Sequence, residues 1–560
     1  MAGSIEAQED ADQVGTLEQM LDELCGGGQV REDGVGERAM RCLASVLLLT
    51  TVPACTGPES APAGVLLDGL FDEWTDASTI VDDPPDAPGA AVDILSVQGL
   101  DDANWLYLAL DVGNEASLQS VPGTLHLLFD VDADSATGGR VNDMSGVDLI
   151  LDLSQTAEPL VEGHGSGFAM RLVDSDGTTR PLERYSLGLM AAPTSSAPRF
   201  ELRLSRLGNG GAATFGSRFR LEAMYVEDGN TLEQTSIGSY AFEAQASETG
   251  AGSLARLPPR VPGTIRVAQW NVASTVLASR AEGLARVLAA VEPDVLLLNE
   301  IAGSTSPDSI SAFFALEPMR RLGPWGFVLS ETGGRQKAVV AARGRGIRPA
   351  ESMRRVPYFE GSLTAFERSL PSAFPTLELE QERGLSTAAA WVDVGESDAL
   401  FVALDLQATG WLDSPSDRLR TLQAATIRAY VARELGGGSA PVVIGGDFNL
   451  VGSRAPLFAL AQELDSDGSD LLAADAERLG ERTLATWRNP DNLFLPGRLD
   501  FVLFPDAAAS LANSFVFATE DLDDATLERL GLERNLMRGL SDHLVVVADL
   551  LFAVGAAPVR

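Results

Sequence analysis

Lysine and histidine are scarce in this chain of 560 residues, and acidic groups outnumber basic ones. Lys337 is the only lysine, and the formal net charge is −39. Affinity for nucleic acid comes largely from Lys and Arg side chains that neutralise phosphates, so this balance argues against broad, unassisted binding to nucleic acid. Most of the negative charge lies before residue 263. A polyanion would therefore have to bind the C-terminal half, with bound metal cancelling part of the negative field.

Cysteine is equally rare. The three cysteines, Cys25, Cys42 and Cys55, all lie near the start of the chain. The globular part of the protein can therefore contain no internal disulfide, and the cellular compartment has to be inferred from targeting signals instead.

Residues 40–55 have a short basic start followed by an apolar run. The run is shorter than the roughly 20 residues that span a bilayer, and it fits a signal peptide. Val-Pro-Ala-Cys at 52–55 resembles the lipobox of bacterial lipoproteins, which implies export, lipidation of Cys55 and anchoring to a membrane on the periplasmic or outer cell surface. Residues 1–39 would then be a non-native or disordered leader. An ordinary buried apolar segment is the alternative.

Turn-forming residues divide the remaining chain into two predicted domains. After a tether at 56–63, residues 64–244 contain short apolar runs that alternate with turn signals, a pattern typical of an all-β sandwich. A linker rich in Gly, Ala, Ser and Pro follows at 245–262. In 263–557, strands mixed with helices of Leu, Ala and Arg character indicate a layered α/β domain.

Five short polar segments of the C-terminal domain lie at or beside the ends of predicted buried strands. Loops at strand ends are where α/β proteins usually assemble their sites. The segments are Gln-Trp-Asn-Val at 269–272, Leu-Asn-Glu at 298–300, Ile-Gly-Gly-Asp-Phe-Asn at 444–449, Gly-Arg-Leu-Asp-Phe at 497–501 and Gly-Leu-Ser-Asp-His at 539–543.

In this order and on these elements, the five segments resemble the motif set of the endonuclease/exonuclease/phosphatase superfamily. That group includes DNase I-like nucleases, AP endonucleases, sphingomyelinases and inositol-polyphosphate phosphatases. The resemblance spans nearly all of residues 263–555, and its motifs are specific as an ordered set, although each is weak alone. It implies a four-layer α/β sandwich, two sheets flanked by helices, that hydrolyses a phosphoester with Mg²⁺ or Mn²⁺.

The resemblance also implies which side chains hold the metal. Mg²⁺ prefers hard oxygen ligands, usually one or two carboxylates with waters and substrate phosphate. Glu300 matches the metal-binding glutamate of the family, and Asn271 and Asp500 match positions near metal or phosphate. Each also fits a plainer role: a solvated carboxylate for Glu300, a turn residue for Asn271, and a surface ion pair with Arg498 for Asp500.

Four further residues match catalytic positions of the family. Asp447 would orient the attacking water or act as the base, and Asn449 would contact the phosphate. His543 would contact the scissile phosphate and stabilise its developing charge. Asp542 would orient His543 or help bind metal. An Asx turn at 447–449 and an interior histidine at 543 are the plainer alternatives.

One position departs from the family pattern. Many members carry a second histidine before the long middle helix, in a segment that reads roughly Asn-Thr-His-Leu, and here Asp405 stands in its place. The other two histidines, His126 and His164, lie in the N-terminal domain, so a mechanism that needs two histidines is excluded. Asp405 and Gln407 would serve the leaving group through water or metal, or the chemistry would resemble that of AP endonucleases, or activity would be reduced. A purely structural role for Asp405 also remains open.

Three segments of the N-terminal domain stand out: Leu-Asp-Gly-Leu-Phe-Asp-Glu-Trp at 67–74, Leu-Phe-Asp-Val-Asp-Ala-Asp-Ser-Ala-Thr-Gly-Gly at 128–139 and Gly-Val-Asp at 146–148. They resemble family 9 carbohydrate-binding or DOMON-like β-sandwich modules, which implies possible glycan binding. Asp130, Asp132 and Asp134 alternate along one acidic segment. This spacing fits structural Ca²⁺ and a plain acidic turn equally well, and it departs from an EF-hand loop. Trp74 and Trp105 have the chemistry to stack on a sugar, but aromatic residues of the core are the more common case.

Together these observations predict an exported, lipid-anchored phosphoester hydrolase with an accessory β-sandwich. Its substrate would be nucleic acid, a phospholipid headgroup or a sugar phosphate. The competing hypothesis is a non-catalytic surface binding protein, in which a degenerate phosphatase-like domain only binds a phosphorylated ligand.

Overall fold

The computed structural model describes residues 64–154, 164–208, 214–246, 254–370 and 384–553. The predicted leader, signal segment and tether lie outside the described residues, as does the predicted lipidation site Cys55. Residues from Val65 onward form one compact unit. No helix within the described ranges is long and apolar enough to cross a bilayer.

Short strands alternate with turns through the N-terminal part, as the alternating apolar runs predict. A 3-10 helix at Asp72–Asp76 precedes them. Strands β1 to β14 are Ser78–Asp82, Ser96–Asp101, Trp105–Ala116, Thr124–Asp130, Gly139–Val141, Met144–Val147, Leu149–Leu153, Phe168–Val173, Thr179–Leu182, Met190–Ala192, Ala197–Ser205, Arg218–Glu227, Asn230–Gln234 and Gly238–Ala241.

Two antiparallel sheets dominate this part. One has the order β1-β2-β3-β11-β10, and the other has the order β13-β12-β4-β7-β8-β9, with β14 also paired to β12. Leu108 of β3 and Leu127 of β4 are completely buried in one hydrophobic core to which both sheets contribute. The predicted β-rich character is confirmed, whereas the carbohydrate-binding or DOMON-like identity stays a prediction.

Helices and strands alternate in the C-terminal part. Helices α1 to α8 are Val276–Ser279, Ala281–Val291, Pro307–Phe314, Glu317–Leu322, Ser362–Ser369, Pro415–Leu435, Ala455–Ala461 and Asp524–Leu530. Strands β15 to β27 are Ile265–Asn271, Val295–Ala302, Trp325–Leu329, Gln336–Arg343, Ile347–Pro349, Thr387–Asp393, Asp398–Asp405, Val442–Asp447, Leu472–Ala473, Glu477–Arg478, Asp500–Phe504, Ala509–Phe517 and Val545–Phe552. Short 3-10 helices lie at Glu351–Met353, Thr519–Asp521 and Met537–Gly539.

These strands form two mixed sheets that share a core. The first sheet has the order β17-β18-β16-β15-β27-β26-β24 and the second the order β19-β20-β21-β22-β25-β23. Val340 of the first sheet and Phe401 of the second belong to the same buried cluster. The mixed α/β class predicted from the sequence is confirmed, and the four-layer arrangement stays a prediction.

Helix α6 supports the loop that follows β21. It begins after Ser414, whose side chain caps the first turn, and Pro415 takes the first helical position, where its missing N–H is not needed. From inside this helix, the buried guanidinium of Arg420 donates hydrogen bonds to the carbonyl oxygens of Gln407 and Thr409. The chain beyond the end of β21 is therefore held in place by a charged group of the helix.

Candidate active site

Four strands of the two C-terminal sheets bring polar side chains to one edge of the core. β15 and β16 are parallel neighbours, and so are β21 and β22. Because the carboxyl ends of parallel strands lie at the same edge of a sheet, Asn271 and Glu300 lie close together, and Asp405 is in register with Asp447. The predicted convergence of strand-end residues is therefore seen in the structure.

A histidine lies between two carboxylates at this edge. Nδ1 of His543 is 2.8 Å from Oδ2 of Asp500, and Nε2 is 3.5 Å from Oδ2 of Asp447. Asp500 is held in turn by the Thr486 hydroxyl at 2.8 Å and the Gln269 amide at 3.0 Å. Asp500 therefore orients the imidazole through one ring nitrogen and leaves the other facing Asp447.

The charge of His543 follows from these contacts. Burial lowers the pKa of the imidazole, but the negative charges of Asp500 and Asp447 outweigh burial and raise this pKa to about 10. The ring is therefore a cation at neutral pH, and both of its nitrogens are hydrogen-bond donors.

Asp447 is the carboxylate with the most contacts to other predicted catalytic residues. Its Oδ2 accepts a hydrogen bond from the Asn271 amide at 3.0 Å, and its Oδ1 accepts one from the Asn449 backbone at 3.0 Å. Burial raises the pKa of Asp447 to about 7, although the nearby His543 cation acts in the opposite direction. This group is therefore poised to exchange a proton near neutral pH.

Glu300, Asp405 and Asp447 form a carboxylate cluster. Each offers an oxygen within 4.8 Å of the others. Burial, with the charges of Asp447 and Glu300, raises the pKa of Asp405 well above its usual value. Like charges this close repel unless a cation lies among them, and an all-oxygen set is what a hard divalent cation prefers. The residues present therefore fit Mg²⁺ or Mn²⁺.

Two residues of the site have strained backbones. Glu300 has φ +54° and Asn449 has φ +50°, both in the left-handed region that side chains other than glycine rarely adopt. The Asn449 side-chain amide donates to the Leu406 carbonyl at 2.9 Å, which holds the turn after β22. Backbone strain of this kind is concentrated at functional sites, where the surrounding structure maintains it.

The catalytic candidates of this cleft lie in a segment that matches a known protein family. Residues 268–543 match the Endonuclease/Exonuclease/phosphatase family. This part of the chain is a domain of that family. Members of the family are nucleases, phosphodiesterases or phosphatases, and they commonly use divalent metals.

Solved structures similar to the chain include domains of this type. The human Nocturnin catalytic domain with bound sulfate anion is 17% identical, over 53% of this chain and 98% of that chain, with a TM-score of 0.33. An endonuclease/exonuclease/phosphatase family protein from Bacteroides thetaiotaomicron is 15% identical, over 52% of this chain and 100% of that chain, with a TM-score of 0.32. An AP endonuclease from Archaeoglobus fulgidus is 15% identical, over 52% of this chain and 100% of that chain, with a TM-score of 0.31. The comparison with curated proteins finds no match to this chain.

The endonuclease/exonuclease/phosphatase domain brings most predicted site residues to one cleft of about 430 Å³. Its lining includes Glu300, Asp447, Asn449, Asp542 and His543. An adjoining cleft of about 270 Å³ is lined by Asp405 and Gln407 and also by Glu300. Glu300 therefore lies where the two clefts meet.

Asp542 differs from its expected role. Its carboxylate accepts hydrogen bonds from the indole of Trp487 and the amide of Asn489, each at 3.1 Å. Among the described residues, Asp500 is the carboxylate that is hydrogen-bonded to the His543 ring. The prediction that Asp542 orients this ring is therefore wrong.

Asp500 and Asn271 are hydrogen-bonded in the structure, and their role as metal ligands, which the resemblance implies, stays a prediction. Both oxygens of Asp500 accept hydrogen bonds, and Asn271 accepts one from the Ala273 backbone through its side-chain oxygen. Asp405, for which the sequence left open leaving-group support through water or metal and a purely structural role, lies in the carboxylate cluster. The Gln407 amide donates to the Ala408 carbonyl at 3.0 Å and lines the adjoining cleft.

Gln269 and Thr486 are site residues that sequence reasoning missed. Gln269 precedes Asn271 by two positions on β15, and residues two apart in a strand face the same side, so its place in the site was readable from the quoted segment. Thr486 lies in an irregular loop, and no local pattern links it to Asp500.

The predicted calcium residues are only partly brought together. Asp130 and Asp132 meet Asp148, whereas the Asp134 carboxylate accepts from the Ala136 backbone at 2.9 Å within its own turn. Arg220 also pairs with Asp130. Calcium binding here stays a prediction.

The two tryptophans proposed for sugar stacking are both covered. Trp74 is 4% exposed and donates to Glu201 at 2.8 Å. The Arg203 guanidinium lies 3.9 Å from the ring centre of Trp105. Stacking on a sugar is therefore wrong for Trp74, because its ring is buried in the core.

Proposed function

We propose that the C-terminal domain is a divalent-metal-dependent phosphoester hydrolase. One observation carries this proposal: the Asp500–His543–Asp447 chain and the carboxylate cluster share the edge at which four strands end. Hydrolysis of a phosphoester needs one charged group beside the attacking water and another beside the departing oxygen. The His543 cation and the neighbouring carboxylates provide charged groups of both signs.

Each residue of the site has a separate role in the proposed reaction. Asp447 accepts a proton from, or orients, the attacking water, since burial brings its pKa to about 7. His543, kept protonated by Asp500, donates a hydrogen bond to a phosphoryl oxygen and stabilises the charge that develops there. Asn271 and the Asn449 backbone hold the Asp447 carboxylate in one orientation.

Glu300 and Asp405 of the carboxylate cluster would hold the metal, beside the Asp447 carboxylate that acts on the water. Held by these residues, Mg²⁺ or Mn²⁺ would supply positive charge for the phosphoryl oxygens. Asp405 replaces the second histidine of the family pattern with a further carboxylate, so the chain has an additional anionic ligand in place of a hydrogen-bond donor. The replacement therefore favours cation binding at this position.

Metal removal tests the proposed function. We expect the full chain to hydrolyse bis-p-nitrophenyl phosphate with Mg²⁺ or Mn²⁺ and to lose this activity in a chelator. We also expect Asp405→Asn to weaken cation binding by about 10- to 100-fold, as measured by calorimetry, because one clustered charge is lost. A wild-type chain that binds the cation but hydrolyses no phosphoester would contradict the proposal and favour the non-catalytic binding protein.

A further inference from the structure

The cleft that holds the catalytic candidates is completed by the N-terminal part of the chain. Glu300, Asp447 and His543 lie on its C-terminal side. Further C-terminal loops and loops from the β-rich part supply the rest of the lining. We call this set the N-terminal wall: Leu118, Gln119, Ser120, Ser166, Pro193 and Thr194.

The N-terminal wall is attached directly to the rim of the active site. The Gln119 side chain accepts a hydrogen bond from the Leu495 backbone at 2.6 Å, and the Thr194 hydroxyl accepts one from the Arg498 backbone at 2.8 Å. Leu495 is 2% exposed and packs in the hydrophobic core of the N-terminal sheets. A loop of the catalytic domain is therefore anchored inside the β-rich part.

Further contacts join the two parts. The His164 ring stacks on the Trp411 ring with centroids 4.2 Å apart and an interplanar angle of 21°. Ser196, in the β-rich part, donates a backbone hydrogen bond to Gly452 of the catalytic domain at 2.8 Å. The N-terminal part is thus docked against the active site, and a freely tethered module would show neither contact.

The lining of the cleft is apolar or uncharged away from the catalytic groups. The described residues that line it include the aromatic side chains of Trp411, Trp487 and Phe494, and none of them is Lys or Arg. Polynucleotides need several neutralised phosphates for affinity. A cleft of about 430 Å³ has the size of a small-molecule pocket.

From this geometry we propose that the N-terminal wall restricts the enzyme to small phosphoesters that carry one phosphate and an uncharged, partly apolar organic group. The inference rests on the proposed function and names its substrate class. The phosphate would lie at Asp447 and His543, and the organic group would lie between the N-terminal wall and the aromatic side chains.

Two comparisons test this restriction in the full chain with Mg²⁺ or Mn²⁺. We expect a single-stranded oligonucleotide to inhibit hydrolysis of bis-p-nitrophenyl phosphate only weakly, with an inhibition constant about 10-fold or more above KM for this diester. Ser166→Trp should raise KM for this diester by about 10-fold with little change in kcat, because the new ring occupies the space of the organic group. The smaller p-nitrophenyl methyl phosphate should be affected less.

The matched control is Ser175→Trp, on an exposed turn beyond the other end of β8, which should leave both constants unchanged. Equal KM values for the two variants would overturn the inference while the proposed function stands. Faster hydrolysis of the oligonucleotide, or of phosphatidylcholine vesicles, than of the small diester would also overturn it. If no phosphoester is hydrolysed, the proposed function falls and this inference falls with it.

A separate acidic group lies at the edge of the N-terminal sheets. Asp83 and Asp86, after β1, and Glu233, on β13, each offer an oxygen within 4.8 Å of the others. Glu233 is 4% exposed, and its Oε2 has no hydrogen-bond partner among the described residues. Burial raises the pKa of Glu233 to about 7, with contributions from Asp86 and Asp83. A buried carboxylate oxygen without a partner is costly unless a cation satisfies it.

We propose that Asp83, Asp86 and Glu233 bind a hard divalent cation of the Ca²⁺ type, which holds the loop after β1 against β13. Calorimetric titration of Ca²⁺ into the full chain should show one fewer bound ion per chain for Glu233→Gln. The matched control is Glu222→Gln, on β12, because Glu222 is equally buried and also has one oxygen without a partner in the described part of the chain. Equal stoichiometry for the two variants would overturn this site.

Discussion

Replacing Asp447 with asparagine is expected to lower kcat for bis-p-nitrophenyl phosphate by about 10²- to 10⁴-fold, the range that general acid–base groups contribute. The amide keeps the size of the side chain and can still contact Asn271, but it can neither accept a proton from water nor pair with the His543 cation. KM should change little, because the substituted group acts on water rather than on the organic part of the substrate. Steady-state kinetics at saturating Mg²⁺ or Mn²⁺ measure both constants.

The chain offers a matched control for this change. Asp152 is also a buried carboxylate beside a histidine: it lies 2.6 Å from Nδ1 of His126 and also pairs with Arg171, in the N-terminal part. Asp152→Asn should lower thermal stability but leave kcat unchanged. If Asp447→Asn kept kcat within a few-fold of the wild type while remaining folded, Asp447 would have no role in the proton transfer or in orienting the water.

Replacing His543 with glutamine is expected to lower kcat by about 10²- to 10³-fold, as for the loss of one donor to a developing oxyanion. Glutamine cannot carry the positive charge that Asp500 and Asp447 maintain, so the charged donor to the developing oxyanion is lost. Asp500→Asn should produce a smaller loss, because it leaves the imidazole present but no longer fixes its orientation and charge. The order of the two effects distinguishes direct contact with the phosphate from positioning of the ring.

The control for this prediction is His126→Gln, which removes another histidine of a His–Asp pair without touching the cleft. Wild-type kcat is expected for it. Equal losses for His126→Gln and His543→Gln would show that the effect comes from folding, and circular dichroism with thermal unfolding separates that outcome from a catalytic one.

The sequence predicts the site residues whose position follows from a strand pattern, but it does not predict contacts between distant segments. Asn271, Glu300 and Asp447 were predictable because each lies at the end of an apolar strand, and parallel neighbours place those ends together. The partner of His543 was not predictable in this way. Asp542 is its neighbour in the chain, but Asp500 is its neighbour in space, because β25 pairs with β22 and places Asp500 opposite Asp447.

Asp405 shows a similar limit. The motif comparison identifies it as a replacement for a histidine, which leaves its role open among leaving-group support, reduced activity and simple structure. Only the register of β21 against β22 places its carboxylate beside those of Glu300 and Asp447. The three carboxylates come from different segments of the chain, so their combined charge arises only when the cleft is assembled.

The sequence by itself determined the mixed α/β class of the C-terminal part, the β-rich N-terminal part and the set of catalytic candidates, because periodicity and motif order are local properties of the chain. Only the tertiary structure decided which carboxylate holds His543 and that the N-terminal part lines the cleft that contains Asp447 and His543. The hydrogen bond between Gln119 and Leu495 joins residues 376 positions apart. Contacts of that range depend on how whole sheets pack, so neither spacing nor composition encodes them.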